Sequence, residues 1–257
     1  MLPTIHLVKT RLVNTYVVEY PDRLLVVDVA YKYHRVVLGF IEDELKREIS
    51  DVAWVTCSHD DPDHIGGVQD LAELCDACIA IPFAAHAPIR KFLHDPYGPL
   101  HRLKTSIREL FRLRAWAMYF NPFRDNSSHH QTRYQGDKTS LDESSDSSNS
   151  TTRFRADVRL THRQLFPDFD DWQVIHTPGH SWDSCCFFHA GTQSLLSGDT
   201  LLGSGKQNRL VVPAIYSNRR HMERTLTTLQ MLDIQTVYPG HGSQMSGNSV
   251  LAQVVVE

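Results

Sequence analysis

Four side chains of types that bind metal ions lie within six consecutive residues of this sequence. They are His59, Asp61, Asp63 and His64, and they lead into Ile65-Gly66-Gly67. Imidazole nitrogens and carboxylate oxygens are ligands for zinc and other divalent ions. In a turn that enters a helix, such close spacing can present ligands to two metal ions. An aspartate that caps the helix would explain a polar turn, but it would not explain either histidine.

Three further polar clusters each contain one candidate ligand. His180 ends Thr177-Pro178-Gly179-His180, Asp199 lies in Ser197-Gly198-Asp199-Thr200, and His241 lies in Pro239-Gly240-His241-Gly242. Like the first cluster, each follows directly on an apolar strand. The carboxyl ends of strands form sites in layered α/β folds, and Gly and Pro allow the sharp turns that aim side chains. We therefore expect all seven candidate ligands to converge.

The elements around these clusters alternate between strand and helix. β-Branched apolar runs predict strands at 14–19, 24–29 and 51–57, the first two as a β-meander, and helical spacing predicts a helix over 36–49. In the second half we predict strands at 157–165, 172–177, 194–197 and 236–238, and a helix over 219–232. This order indicates layered α/β structure.

The middle of the chain differs in composition. Residues 88–124 carry eight Lys and Arg against Asp95 and Glu109, with apolar residues at helical spacing. Two interpretations remain open: a solvated helix packed on the core, or a lid over a site that receives an anionic substrate. Residues 126–152 are rich in Ser, Asp and Asn, a composition that predicts a disordered insertion.

Composition limits the remaining function classes. The chain has 257 residues, 41% hydrophobic and 22% charged, with a net charge of −4, so we expect a globular protein without general affinity for nucleic acid. Five cysteines do not predict a disulfide framework. No apolar run is long enough to span a membrane, and the start lacks a signal-peptide pattern. We expect a cytoplasmic protein that acts on a small molecule, and its oligomeric state is left open.

Together the four clusters resemble the metallo-β-lactamase superfamily, whose signature is His-x-His-x-Asp-His followed by a distal His, a bridging Asp and a final His. This sequence reads His59-x-Asp61-x-Asp63-His64, then His180, Asp199 and His241. The match extends from residue 14 to 242. The resemblance implies an α/β fold, a four-layer αββα sandwich, and a single domain over 1–257. Its halves would be separated by a basic helical insertion (88–125) and a disordered polar loop (126–152).

Carried over position by position, the resemblance also implies a dinuclear site. The first metal ion would take His59, Asp61 and His180, the second would take Asp63, His64 and His241, and Asp199 would bridge them. Asp63 is also the candidate catalytic carboxylate. Asp61 stands where the family usually has histidine, as a carboxylate does in some branches, and it makes the first site harder. Two zinc ions are our first choice, with iron and manganese left open.

The likeness is strongest to glyoxalase II-like and lactonase-like members, so it implies hydrolysis of a thioester or lactone in a small, anionic substrate. Lys206 and Arg209 fall where such thioesterases hold an anionic carrier. Leu202 stands where quorum-signal lactonases have tyrosine, which disfavours acyl-homoserine lactones.

Three alternatives stay open. Asp61 and the basic region also suit a phosphodiesterase or nuclease. A diiron oxidoreductase would suit Asp61 too, but this sequence encodes no flavin partner domain. A non-catalytic binding module is disfavoured because all seven positions hold side chains that can bind metal.

Overall fold

A computed structural model describes residues 2–110, 154–205, 207–252 and 254, with the backbone alone at Leu110. The described residues form two compact units. The first contains 2–57, 61–81 and 154–159, and the second contains 58–60, 82–110 and the described residues from 160 onward. The predicted polar loop 126–152, the end of the predicted basic helix and Lys206 lie outside the described residues. The prediction of a single domain stays a prediction.

A six-stranded sheet with the order β1-β2-β3-β4-β5-β6 characterises the first unit. Its strands are β1 (Thr4–Lys9), β2 (Asn14–Glu19), β3 (Leu24–Val27), β4 (Val52–Thr56), β5 (Cys78–Pro82) and β6 (Val158–Leu160). The predicted meander, β2 and β3, pairs antiparallel, and β1, which was not predicted, pairs antiparallel with β2. Strands β3, β4 and β5 pair in parallel. Both β2 and β3 are almost wholly buried, which explains their continuous apolar runs.

Three α-helices belong to the first unit: α1 (His34–Gly39), α2 (Pro62–Ile65) and α3 (Val68–Cys75). A π-helical turn, Phe40–Glu44, continues α1, and a 3₁₀ turn covers Ile49–Asp51. The helix predicted over 36–49 therefore begins two residues earlier and stops sooner. Its end has a local cause, because Lys46 adopts a left-handed backbone conformation with φ of 56°, which a helix cannot continue through.

The sheet of the second unit has the order β14-β13-β10-β9-β8-β7. These strands are β7 (Leu165–Phe166), β8 (Phe169–His176), β9 (Cys185–His189), β10 (Ser194–Gly198), β13 (Thr236–Pro239) and β14 (Met245–Ser246). A separate two-stranded sheet pairs β11 (Leu202–Ser204) with β12 (Arg209–Val211). In the main sheet β10 and β13 pair in parallel, and the other pairs are antiparallel. Two predicted ligand clusters thus follow adjacent parallel strands.

Helices α4 (Pro88–His94), α5 (Gly98–Leu110) and α6 (Arg219–Gln230) belong to the second unit. Asn218 caps α6 by accepting a hydrogen bond from the His221 backbone N–H, and Leu226 and Leu229 pack into the core of this unit. The described part of the predicted basic helix is divided in two. Asp95 precedes Pro96 and adopts a non-helical conformation, as the steric restriction before proline favours.

All five cysteines are free thiols, and the sequence predicted no disulfide framework. Burial raises the pKa of Cys75 to about 11, so this thiol stays protonated at neutral pH. In the part of the chain that the structure describes, no helix combines the length and apolar character needed to cross a membrane.

Candidate metal centre

The turn after β4 carries the first ligand cluster and begins α2. Asp61 occupies the N-cap position and Pro62 the first helical position, but the Asp61 side chain makes no capping hydrogen bond. The side chain of Asp61 therefore does not act as the helix cap that would explain the turn on structural grounds alone. His64 is buried, and Asp63 is half-buried.

His64 lies between two carboxylates of its own unit. Its Nδ1 is 3.0 Å from Oδ2 of Asp28, and its Nε2 is 3.8 Å from Oδ2 of Asp63. Asp28 and His64 are both buried. A carboxylate at Nδ1 fixes the ring orientation and directs Nε2 toward a metal position. Asp28 was not predicted from the sequence, although it follows β3 as the other clusters follow their strands.

In the second unit, Asp199 lies between two histidines. Its Oδ2 is 3.7 Å from His180 Nε2, and its Oδ1 is 3.4 Å from His241 Nε2. The two oxygens of one carboxylate thus face two different imidazoles. Asp199 and His180 are buried, whereas the His241 side chain is one-third exposed.

His59 belongs to the same group in the second unit. Its ring meets that of His180 edge to face, with centroids 4.9 Å apart. A ligand atom of His59 also lies within 4.8 Å of one in His180 and of one in Asp199. Ser58 Oγ is 3.0 Å from Nδ1 of His59, which leaves Nε2 as the ligand atom. The ring of His180 is oriented in the same way, since its Nδ1 is 2.8 Å from the Ile215 carbonyl oxygen.

Tight turns hold these side chains. Gly179 has φ of +152°, and a Cβ there would lie 2.8 Å from Cα of Met222. Gly242 has φ of +85°, and its Cβ would lie 1.9 Å from the Gly203 carbonyl oxygen. Glycine is therefore required beside both His180 and His241. The hydroxyls of Thr177 and Thr200 are 2.8 Å apart and link the turns that carry His180 and Asp199.

Each unit thus presents imidazole Nε2 atoms and carboxylate oxygens at close range, the donor set that suits a divalent metal ion. A sequence model of the metallo-beta-lactamase superfamily matches residues 8–241. The chain belongs to this superfamily. Its members are hydrolases that bind divalent metal ions. The predicted family and the predicted α/β fold class are confirmed.

Two curated relatives of this superfamily member match only short segments. A probable metallo-hydrolase of Bacillus subtilis strain 168 is 28% identical over 89 residues, 33% of this chain and 28% of that protein. An atrochrysone carboxyl ACP thioesterase of Aspergillus fumigatus is 32% identical over 71 residues, 28% of this chain and 20% of that protein. The matched segments span less than a third of either relative's length.

Solved structures of the superfamily share the fold over nearly the whole chain. A metallo-beta-lactamase family protein of Thermus thermophilus has a TM-score of 0.57 at 19% identity, covering 97% of this chain and 76% of that one. A metallo-beta-lactamase of Pontibacter korlensis has a TM-score of 0.55 at 12% identity, covering 97% and 96%. At such low identity, the likeness establishes the fold alone.

An ion pair between the half-buried Lys91 and the buried Asp183 supports the turn that carries His59. Asp183 accepts a hydrogen bond of 2.9 Å from the Asp60 backbone N–H, and its carboxylate is 2.6 Å from Lys91 Nζ. Lys91 also pairs with the Asp60 side chain. Burial favours the neutral form of Asp183, but the attraction of Lys91 outweighs it and lowers the pKa of the carboxyl. Neither Lys91 nor Asp183 was identified from the sequence.

Of the two candidate substrate-binding residues, the structure describes only Arg209, and it also shows a histidine just before the Thr177–His180 turn. His176 Nε2 donates to the Trp182 carbonyl oxygen at 2.6 Å, so this histidine is bound within its own strand-and-turn segment. Arg209 lies in β12 and donates to Gln207 Oε1 at 2.9 Å. Lys206 is outside the described residues. The substrate-binding roles of Lys206 and Arg209 stay predictions.

Proposed function

We propose that this protein is a hydrolase whose dinuclear metal centre cleaves an ester-type bond, a thioester or a lactone, in a small anionic substrate. The observation that supports it most is the position of Asp199 between His180 and His241, with a different carboxylate oxygen toward each ring. A carboxylate in this position can bridge two cations. Such a pair can bind the substrate oxygen and activate water together.

We propose the ligand set that follows from the family signature. His59, Asp61 and His180 bind one ion, Asp63, His64 and His241 bind the other, and Asp199 bridges them. Two observations support it: the imidazoles of His59, His64 and His180 each have a partner at Nδ1, and the pairs within each unit have ligand-scale spacing. Zinc suits this mixture of imidazole and carboxylate, although three carboxylates also accommodate iron or manganese.

The bound ions would supply Lewis acidity and lower the pKa of water to about 7. The chain's own groups would do the rest. Asp28 and the Ile215 carbonyl accept at Nδ1 of His64 and His180 and so hold these two imidazoles in one tautomer, and Ser58 engages Nδ1 of His59, so that Nε2 of all three is left for a metal ion. Asp63, which is one-third exposed, can accept a proton from the attacking water and return it to the leaving group.

The bond type is proposed from resemblances in sequence. The Thr177–His180 turn and the Asp199 turn resemble those of glyoxalase II-like and lactonase-like proteins, and one relative is named a thioesterase. A phosphodiesterase is the second candidate. It is supported by Asp61, which makes the first site richer in oxygen, and by the basic residues of α4 and α5.

The test is metal analysis of protein purified without added metal, followed by a panel of thioester, lactone, carboxylic ester and phosphodiester substrates. We expect about two divalent ions per chain and turnover of a thioester or lactone that a chelator abolishes and zinc restores. Activity confined to phosphodiesters would replace the first proposal by the second. Tight metal binding with no turnover of any substrate would indicate a binding module.

A further inference from the structure

The second unit contains a cavity of about 380 Å³ that the candidate metal ligands do not line. Its walls come mainly from α4, α5 and the turn after His180. Asp95, Gly98, Leu103 and Trp182 contribute the groups that matter here. A cavity of this size lies at the small end of ligand pockets, which measure roughly 300–1,000 Å³, and it has room for a small organic molecule.

Asp95 lies at the junction of α4 and α5, and three hydrogen bonds fix its position. Its backbone N–H donates to the Lys91 carbonyl at 2.8 Å, and its own carbonyl accepts from the Gly98 N–H at 3.0 Å. Its side-chain Oδ1 accepts from Asn218 Nδ2 at 3.2 Å. Asn218 is the residue that caps α6. The carboxylate is therefore held between three helices of this unit.

The second side-chain oxygen of Asp95, Oδ2, faces the cavity without a donor. Only 4% of the Asp95 surface is exposed, and in the part of the chain that the structure describes Oδ2 has no hydrogen-bond partner. A Cβ on Gly98, which also lines the cavity, would lie 2.4 Å from this oxygen, so glycine leaves Oδ2 open to it. A buried acceptor without a donor is costly, which indicates that a ligand supplies one.

Two cations and three carboxylates, counted among the described residues, lie in or directly behind the cavity wall. Lys91, Arg102 and Asp95 line it, and Asp60 and Asp183 both pair with the Lys91 ammonium. Arg102 is turned toward the candidate metal centre, where its Nη2 is 3.2 Å from an imidazole nitrogen. The balance is one negative charge, and a buried charge without compensation is costly. A singly charged cation removes this imbalance, whereas an anion increases it.

Trp182 and Leu103 supply apolar surface to the cavity. The Trp182 ring stacks on His94 at 5.0 Å and meets His176 and His221 at 5.1 and 5.2 Å. Burial lowers the pKa of both His176 and His221, so these two rings are uncharged at neutral pH and do not repel a cation. Indole attracts cations more strongly than the other aromatic side chains do. This wall therefore suits an apolar group that carries a positive charge.

We propose that this cavity binds a small organic monocation, a protonated primary amine attached to an apolar group. The ammonium donates to Oδ2 of Asp95, and the apolar group lies against Trp182 and Leu103. An ammonium has three N–H donors and no acceptor, so it supplies both the missing donor and the missing positive charge. This binding site goes beyond the proposed hydrolase function and does not depend on it.

Two ligands of nearly the same shape test the charge requirement. 2-Phenylethylamine is protonated at neutral pH, and 2-phenylethanol is its neutral counterpart with an O–H donor. We expect the purified protein to bind the amine about tenfold more tightly or better, measured by calorimetry, because a hydrogen bond to a charged group is stronger than a neutral one. Equal affinities for the two ligands, or no binding of either, would overturn the proposal.

The indole N–H of Trp182 locates the bound amine. Trp182 Nε1 is buried and has no hydrogen-bond partner among the described residues, so its ¹⁵N–¹H signal, assigned by its loss in Trp182→Phe, responds to a neighbouring ligand. We expect 2-phenylethylamine to shift this signal and to leave those of Trp54 and Trp172, which do not line the cavity, nearly unchanged. Amine binding that leaves the Trp182 signal in place would put the ligand elsewhere and overturn the proposal.

Asp95→Asn tests the carboxylate directly. Asparagine keeps an oxygen for Asn218 and removes the negative charge, so affinity for the amine should fall to about that for 2-phenylethanol, with little change for the alcohol. Asp170→Asn, at an exposed position in β8, is the matched control and should bind the amine as wild type does. An Asp95→Asn variant that still prefers the amine would overturn the proposal.

The comparison of amine and alcohol in wild type needs no variant, so it decides the question even if Asp95→Asn fails to fold. None of these measurements uses turnover. Amine binding that depends on Asp95 would therefore stand if the hydrolase proposal failed, and hydrolysis without amine binding would reject the cavity assignment alone.

Discussion

Asp28 and His64 form a buried contact in the first unit, with Oδ2 of Asp28 3.0 Å from Nδ1 of His64. The carboxylate holds the imidazole in the tautomer that presents Nε2. Replacing Asp28 with Asn removes the charge and keeps the shape, and Asn tolerates the φ of 60° found there. We expect metal affinity to fall by about 10- to 100-fold, measured by competition with a chromogenic chelator.

The control for this change is Asp22→Asn on the exposed turn between β2 and β3, which should bind metal like wild type. If Asp28→Asn kept the wild-type affinity for metal, the Asp28–His64 contact would be structural, and metal binding by His64 would not depend on Asp28.

Asp199→Ala should abolish hydrolysis and weaken binding of the second metal ion. Loss of a bridging carboxylate leaves two nearby cations with less negative charge between them. Metal content per chain and turnover are the measurements. Asp170→Ala, an exposed position in β8, is the matched control. Near-full activity in Asp199→Ala would exclude the bridging role.

Removing one partner of the Lys91–Asp183 pair should destabilise the protein more than replacing both partners together would suggest. The Asp183 side chain is fully buried, so Lys91→Met leaves a buried carboxylate uncompensated and should lower the free energy of unfolding by about 3–5 kcal/mol. The double variant Lys91→Met/Asp183→Asn should lose less than the two single losses added together.

Urea denaturation of all three variants measures this coupling. The exposed Arg219–Glu223 pair on α6, with N···O at 3.1 Å, is the reference, and Arg219→Met there should cost no more than about 1 kcal/mol. Additive losses at Lys91 and Asp183 would show that the pair is not coupled.

His176 should make stability depend on pH. Burial lowers the pKa of His176 below its ordinary 6.5, although its hydrogen bond to the Trp182 carbonyl opposes this. Below about pH 6.5 the unfolded chain therefore binds a proton that the folded chain resists, so the folded state loses stability as pH falls from there toward the folded pKa. Above that window the group contributes no pH dependence.

His176→Gln keeps an N–H for the Trp182 carbonyl but cannot be protonated. The stability advantage of wild type over this variant should be constant at higher pH and shrink as pH falls below about 6.5, measured by urea unfolding at a series of pH values. A wild-type advantage that grows toward acid pH would contradict the lowered pKa.

Much of the candidate site can be predicted from sequence because its signals are local. His59, Asp61, Asp63 and His64 are near neighbours along the chain, and each later cluster directly follows a strand. An apolar strand that ends in a Gly- or Pro-containing turn needs no knowledge of distant residues to be identified. The ordered combination of four such clusters then indicates the superfamily and its α/β fold.

Only tertiary structure reveals the partners of those ligands. Asp28, Ser58 and the Ile215 carbonyl fix imidazole orientations, and Arg102 reaches His180 from 78 residues away in sequence. None of these contacts has a characteristic spacing, because folding decides which distant side chains meet. Helical periodicity also does not predict the division of the basic segment into α4 and α5, because α4 ends at Asp95-Pro96. Asp95 lines a cavity that exists only when α4, α5 and the turn after His180 are folded.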